Sequence, residues 1–375
     1  MAEEIYQRLA RHLDDLPGGF PPTESGVELR ILKRLFTEEE AELALHLTLL
    51  AEPARVIARR AGITPEDAAG RLREMALKGL IYRLYRDDEP HYMALQYVIG
   101  IWEFHVNDLD PELIRDMNEY IPELIDLDIW KKTPQLRTIP IHQDIPVEHE
   151  ILPYENVEEL VRSRRKFAVA PCICRVESRI MGKECDRPEE TCLVFNRAAD
   201  YYVENGMGRY IDLEETLQIL KKAEEHNLVL QPSNARSISN ICCCCSCCCQ
   251  VLKTFKQHPQ PASLVSSPFI AVADRGTCSG CGTCITSCQM EALSLENELV
   301  RLDPDRCIGC GLCVPKCPTG SLQLVRKPKE EQKRVPSTLV RTFINLARAR
   351  GKLTPQNAAM TALRSARDRL LTGKL

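Results

Sequence analysis

The chain has 375 residues, a formal net charge of −4 and 19 cysteines. This length exceeds one ordinary hydrophobic core and predicts two or three domains, while an odd number of cysteines does not suit a disulfide framework. No apolar run approaches the roughly 18 residues of a membrane-spanning helix and no signal peptide opens the chain, so we expect a soluble, cytoplasmic protein with metal-binding cysteines.

The N-terminal hundred residues predict short helices followed by a β-hairpin. A capping box at Thr37 and Glu40 begins one helix, and a cap at Thr64 begins another. Two runs that favour strands follow at residues 81–85 and 91–95. This order of elements resembles a winged-helix domain.

A helix that reads DNA should present a basic face, because neutralising phosphates supplies much of the affinity. The exposed positions of the helix after Thr64 instead carry three acidic and three basic side chains: Glu66, Asp67, Arg71, Arg73, Glu74 and Lys78. We therefore favour a scaffold or protein-docking role for this domain over a nucleic-acid partner.

A cysteine-rich unit follows a connector that has no readable motif. Eleven cysteines lie between residues 162 and 260, from a Pro-Cys-x-Cys-Arg sequence at Pro171 to seven thiols within residues 242–249. If the last segment is helical, its thiols divide between two faces and could serve two sites. The candidate ligands are Cys172, Cys174, Cys185, Cys192, Cys242, Cys244, Cys245, Cys248 and Cys249.

Zinc or free buried thiols would also explain this unit. The usual histidine ligands of zinc are absent nearby; His226, in the predicted helix that Asp212 and Glu215 cap, is typical of a surface residue. We therefore expect one or two further iron–sulfur clusters here.

Two cysteine quartets with C-x2-C-x2-C-x3-C spacing lie 29 positions apart near the C-terminal end. A loop with this spacing can supply three ligands to a 4Fe-4S cluster, and in two-cluster arrangements the fourth cysteine of each run ligates the other cluster. One predicted ligand set is Cys278, Cys281, Cys284 and Cys317, and the other is Cys307, Cys310, Cys313 and Cys288. The alternative is a pair of zinc sites, but these usually take two close pairs of cysteines from separated segments.

These residues resemble the bacterial two-cluster 4Fe-4S ferredoxin family over about Arg275 to Val325. The second run ends Cys317-Pro318 as in that family, whereas the first ends Cys288-Gln289. The resemblance implies a βαββαβ fold and two 4Fe-4S clusters. Over its full length the chain resembles multidomain 4Fe-4S proteins of anaerobic bacteria, which implies redox work without naming a substrate.

The last fifty residues, 326–375, are a basic tail with 13 lysines and arginines against 3 acidic residues. They predict a helix capped by Ser337 and a second helix whose apolar positions are Ala359, Leu363 and Leu370. We expect the tail to dock on the acidic remainder of the protein or on a partner subunit. Peripheral contact with an anionic membrane, or with nucleic acid, is the alternative.

The predicted fold class is a multidomain α+β protein with a mostly helical winged-helix-like domain, a cysteine-rich α/irregular unit, a ferredoxin-like dicluster domain and a helical basic tail. The predicted divisions are 1–100, 101–161 (connector), 162–260, 268–325 and 326–375.

The predicted function is electron transfer as a subunit or partner of an oxidoreductase, with other redox proteins as partners. No dinucleotide-binding loop, Walker A motif or Ser-His-Asp pattern indicates a self-contained enzyme. Two alternatives stay open. A redox-sensing transcription regulator would use the winged helix as its DNA reader, and an iron–sulfur enzyme would use a cluster of the cysteine-rich unit as its catalytic centre.

Overall fold

The computed structural model describes residues 2–140, 152–183 and 185–373. The described part of the chain forms two compact units. The first comprises Met1–Asp126, Glu204–Met207 and Phe343–Leu375, and the second comprises Leu127–Val203 and Gly208–Thr342. Residues 141–151, in the predicted connector, lie outside the described residues.

The N-terminal part of the first unit is helical with one small sheet. Its elements are α1 (Ala2–Asp14), α2 (Val27–Leu35), α3 (Glu38–Ala44), β1 (Glu52–Pro53), α4 (Ala54–Ala61), α5 (Pro65–Leu77), β2 (Tyr82–Arg86), β3 (Glu89–Met93), α6 (Trp102–Phe104) and α7 (Pro111–Leu124). The strands pair antiparallel in the order β1-β3-β2. Both predicted caps are present, since the hydroxyls of Thr37 and Thr64 accept backbone N–H groups three residues on. The winged-helix assignment stays a prediction.

Aromatic side chains fill the core of this unit. Phe20 packs edge-on against Tyr97 and Tyr120, each with ring centroids 5.0 Å apart. Trp102 and Phe104 are also buried. Such edge-to-face pairs add to the stabilisation that burial itself supplies.

The basic tail contributes α16 (Leu339–Ala349) and α17 (Pro355–Leu371). Thr338, not the predicted Ser337, accepts a backbone N–H group at the start of α16. The predicted apolar face of α17 is wrong, because Leu363 and Leu370 are 70% and 59% exposed while Ser365 and Asp368 are buried.

Polar contacts hold α17 against α4 in the first unit. Arg60 pairs with Glu52 at 2.6 Å and with Asp368 at 2.7 Å, and Ser365 donates to Glu52 at 2.5 Å. Both ion pairs are almost fully buried, so the loss of one partner would leave a desolvated charge. Part of the tail therefore docks on the protein itself, as expected.

The cysteine-rich part of the second unit contains a five-stranded sheet. Its elements are α8 (Leu127–Lys132), α9 (Val157–Arg162), β4 (Phe167–Pro171), α10 (Ile173–Ile180), β5 (Glu190–Phe195), α11 (Arg197–Glu204), β6 (Arg209–Ile211), α12 (Leu213–Glu225), β7 (Val229–Pro232), β8 (Asn240–Cys244), α13 (Gln250–Gln257) and α14 (Pro261–Leu264). The strand order is β6-β4-β5-β8-β7 with antiparallel pairing throughout. The prediction of an α/irregular unit is therefore wrong. Asp212 caps α12 through the N–H of Glu215, as predicted, and His226 follows that helix.

The C-terminal part of the second unit consists of two antiparallel strand pairs and the short loops between them. Its elements are β9 (Phe269–Ala273), α15 (Thr283–Ser287), β10 (Leu293–Glu296), β11 (Leu299–Leu302) and β12 (Leu322–Arg326). β9 pairs with β12, and β10 pairs with β11. The second helix of the predicted βαββαβ order is replaced by turns between residues 312 and 319. Among the described residues, no helix is both long enough and apolar enough to cross a bilayer.

Candidate metal centres

The first half of the cysteine repeat contributes to one group of four thiols. Cys278 and Cys281 lie in the loop before α15, Cys284 lies within that helix, and Cys317 comes from the second half. Burial raises the pKa of Cys284, and the neighbouring thiols of Cys317, Cys281 and Cys278 raise it further. The structure therefore brings together the four residues predicted to share a cluster. That they bind one stays a prediction.

The second half contributes to the other group, with Cys288 as its fourth member. Burial raises the pKa of Cys310 to about 12, and the nearby thiols of Cys288 and Cys307 act in the same direction. Burial also raises the pKa of Cys313, and the thiols of Cys310, Cys307 and Cys288, with Cys284 of the first group, act in the same direction. Cys307 and Cys313 are each only 8% exposed. In the first group Cys284 is equally buried, but Cys281 is exposed.

Backbone N–H groups point at the sulfurs of both groups. Gly280 and Val300 donate to Cys278 Sγ at 3.4 Å. Ala292 donates to Cys288 Sγ at 3.2 Å, and Ala271 donates to Cys307 Sγ at 3.5 Å. Such donors stabilise thiolates and tune the potential of a cluster. The two groups of the repeat, each with four cysteines and several N–H donors, therefore fit 4Fe-4S clusters.

Two glycines allow the loops to pack closely enough for this arrangement. Gly280 and Gly309 occupy equivalent positions of the repeat, with φ angles of 70° and 67°. A Cβ atom would overlap the carbonyl oxygen of Glu298 at the first position and that of Phe269 at the second. Glycine is therefore required at both positions for its left-handed conformation and for its lack of a side chain.

Six of the predicted upstream ligands form a third group of thiols. Hydrogen bonds between thiols link them in the order Cys172, Cys174, Cys249, Cys244 and Cys242. Cys192 joins them, because it lies opposite Cys242 in the pairing of β5 with β8. We call these residues the six-thiol group: Cys172, Cys174, Cys192, Cys242, Cys244 and Cys249.

The prediction for residues 242–249 needs correction because the segment is not a helix. Residues up to Cys244 form β8, in which Cys242 and Cys244 share one face and Cys243 points to the other. Burial raises the pKa of Cys243 to about 12, and its carbonyl accepts a hydrogen bond from buried Arg175 at 2.8 Å. Cys243 lies outside the six-thiol group.

A fourth group contains Cys185, Cys245 and Cys248, which were predicted, and Cys247, which was not. All four sulfurs lie within 4.8 Å of one another. The C-x2-C spacing of Cys245 and Cys248 was a signal for this site, but the seven thiols in eight positions obscured it. We call these residues the four-thiol group.

Gln289, which replaces the proline of the ferredoxin pattern, connects the repeat to the cysteine-rich part of the unit. Its side-chain oxygen accepts from the Ser246 N–H at 2.8 Å, and its amide donates to the Asn227 carbonyl at 2.9 Å. Gln289 is 6% exposed and directly follows Cys288. A proline could make neither bond, which gives the departure a structural reason.

Comparison with known proteins supports the C-terminal site. Residues 271–324, which include all eight cysteines of the repeat, match the family model of the 4Fe-4S dicluster domain. The chain is an iron–sulfur protein. Neither a curated protein nor a solved structure matched it.

Proposed function

We propose that this iron–sulfur protein transfers electrons between an external redox partner and a cluster on the six-thiol group, through two 4Fe-4S clusters. It would act as a subunit or partner of an oxidoreductase in an anaerobic organism. When bound, such clusters supply one-electron transfer without bond chemistry at a substrate. The observation that carries the proposal is the crossed grouping of the eight repeat cysteines.

The unequal burial of the two repeat groups supports an order of the two clusters along the route. The first group reaches the surface at Cys281, where a partner could approach. The second group contains buried Cys307 and Cys313, and its Cys288 precedes the Gln289 bridge to the cysteine-rich part. The first group would thus exchange electrons with the partner, and the second would exchange them with the cysteine-rich part.

The charges on α5 do not favour the regulator alternative. Arg71 pairs with Asp67 at 2.9 Å and Lys78 pairs with Glu40 at 2.5 Å, so these cations already have acidic partners. A phosphate backbone would have to compete with those carboxylates.

The first test is the iron and acid-labile sulfide content of anaerobically purified full-length protein, with EPR spectra after dithionite reduction. About twelve iron atoms would support two repeat clusters and one on the six-thiol group. About eight would remove the upstream cluster and leave a simple two-cluster carrier.

Paired variants test the crossed ligation. Cys281→Ser and Cys317→Ser should lose the same EPR signal, although their residues lie in opposite halves of the repeat. Cys281→Ser and Cys288→Ser should lose different signals, although their residues lie in the same half. The reverse pattern would show that each half binds its own cluster.

A further inference from the structure

The sulfur atoms of the four-thiol group lie closer together than the four ligands of a 4Fe-4S cluster. Cys185 Sγ and Cys247 Sγ lie 3.8 Å apart, and Cys247 Sγ and Cys248 Sγ lie 3.7 Å apart. In the described part of the chain, no other set of three or more potential ligands meets the same 4.8 Å limit. The two groups of the repeat are therefore more widely spaced than this one.

The separations of 3.7 and 3.8 Å match the edge of a single tetrahedral metal site, and all the others lie within 4.8 Å. A tetrahedron with zinc–sulfur bonds of about 2.3 Å has edges of about 3.8 Å. In a 4Fe-4S cluster each thiolate binds a different iron atom at a corner of the cube, so the four ligands lie farther apart. The four-thiol group and the two groups of the repeat therefore differ in sulfur spacing within one structure, as a single-ion site and a cluster site would.

The surroundings of the four-thiol group suit thiolates on a metal ion. The Cys248 backbone N–H and the thiols of Cys247 and Cys248 hydrogen-bond to Cys245 Sγ, and the Arg175 guanidinium lies near this sulfur. The Ser178 hydroxyl hydrogen-bonds to Cys248. Arg187 Nη1 donates to Cys247 Sγ at 3.4 Å. Four thiolates with one divalent ion carry a charge of −2, which the two nearby guanidinium groups offset.

We propose that Cys185, Cys245, Cys247 and Cys248 bind one zinc ion. All four coordination positions are filled by the chain, as in structural zinc sites. Zinc binds thiolates more tightly than ferrous iron does. The site would join the segment after α10 to the turn after β8, 62 positions along the chain. Because zinc has no redox chemistry, this proposal is independent of the proposed electron route.

The test begins with wild-type full-length protein purified anaerobically. We expect one zinc per chain besides the iron. The zinc-edge X-ray absorption spectrum should show four sulfur neighbours at about 2.3 Å and no metal neighbour. This measurement needs no variant, so a misfolded mutant cannot obscure it. Protein that contains no zinc, or zinc with oxygen neighbours, would overturn the proposal.

Three variants then locate the ion. Cys247→Ser should lose the zinc and keep all iron and sulfide. Cys192→Ser, in the six-thiol group, should keep the zinc and lose only iron and sulfide if that group binds a cluster. Cys243→Ala is the matched control, because this thiol belongs to neither group, and it should keep both metals. If Cys247→Ser instead loses iron, or keeps its zinc, the four-thiol group is not a zinc site.

Discussion

The two halves of the cysteine repeat have identical spacing and different surroundings. In the first half Cys281 is exposed, and in the second half Cys307 and Cys313 are buried. Gln289 ends the first run with two hydrogen bonds to neighbouring loops, and Pro318 occupies the equivalent position of the second. Spacing therefore determines which thiols meet, while the packing around them determines how each group differs.

This difference has consequences for reduction. Adding an electron to a buried cluster places negative charge in a medium of low polarity, which disfavours the reduced state. We expect the cluster on Cys281, Cys278, Cys284 and Cys317 to have the higher reduction potential. A redox titration followed by EPR would resolve the two steps, and the signal removed by Cys281→Ser should be the first to appear on reduction.

The largest effect should come from removing a ligand in the buried half. Cys313→Ser should lose one cluster and also place a hydroxyl among apolar side chains, at a cost of about 1–3 kcal/mol if it stays unpaired. Cys281→Ser, at the exposed position, should lose one cluster without that added cost. Iron content and thermal unfolding measure the two effects. Equal losses of stability would contradict the difference in burial.

The glycines test whether both halves need the same close packing. Gly280→Ala and Gly309→Ala should each prevent one cluster from assembling, because the new methyl group would overlap a carbonyl oxygen. Gly282→Ala is the control, since its φ of 74° is similar but no atom lies within 4 Å of the added Cβ. It should cost only the roughly 1–2 kcal/mol of a left-handed alanine. Iron content after reconstitution distinguishes these outcomes.

Gln289→Pro would make the first run match the second. It should leave the Ser246 N–H and the Asn227 carbonyl without the partner they have now. Both residues are only partly buried, so each loss should cost less than the roughly 1–3 kcal/mol of a fully buried group. Cluster content of the repeat should be unchanged, because no ligand is altered. Gln289→Glu keeps the acceptor for Ser246 and should lose less, and the reciprocal Pro318→Gln should be nearly neutral. Chemical unfolding of the metal-loaded proteins provides the comparison.

The repeat could be predicted from sequence because its ligand pattern is local and occurs twice. The grouping of Cys278, Cys281, Cys284 and Cys317 needs only the loop spacing and the exchange of the fourth ligand. The lost second helix of this domain was less predictable, because a short loop around a ligand set can be helical or a series of turns without changing which thiols meet.

The upstream groups could not be predicted in the same way, because long-range pairing decides them. Cys242 and Cys244 share a face only because β8 pairs with β5 and β7, and adjacent thiols such as Cys247 and Cys248 fit no helical or strand period. The tail shows the same limit. Ser365 and Asp368 of α17 are buried because Glu52 and Arg60 bind them, against the apolar pattern of the helix.

The smallest effect should come from a single hydroxyl that only the first half has. Thr283 Oγ1 donates to Cys281 Sγ at 3.5 Å, whereas the equivalent position of the second half is buried Leu312. A donor to sulfur stabilises the more negative, reduced state, so Thr283→Val should lower the potential of the exposed cluster by on the order of tens of millivolts. Thr283→Ser keeps the donor and should leave the potential unchanged. A shift in the buried cluster instead would mean that Cys281 belongs to the other ligand set.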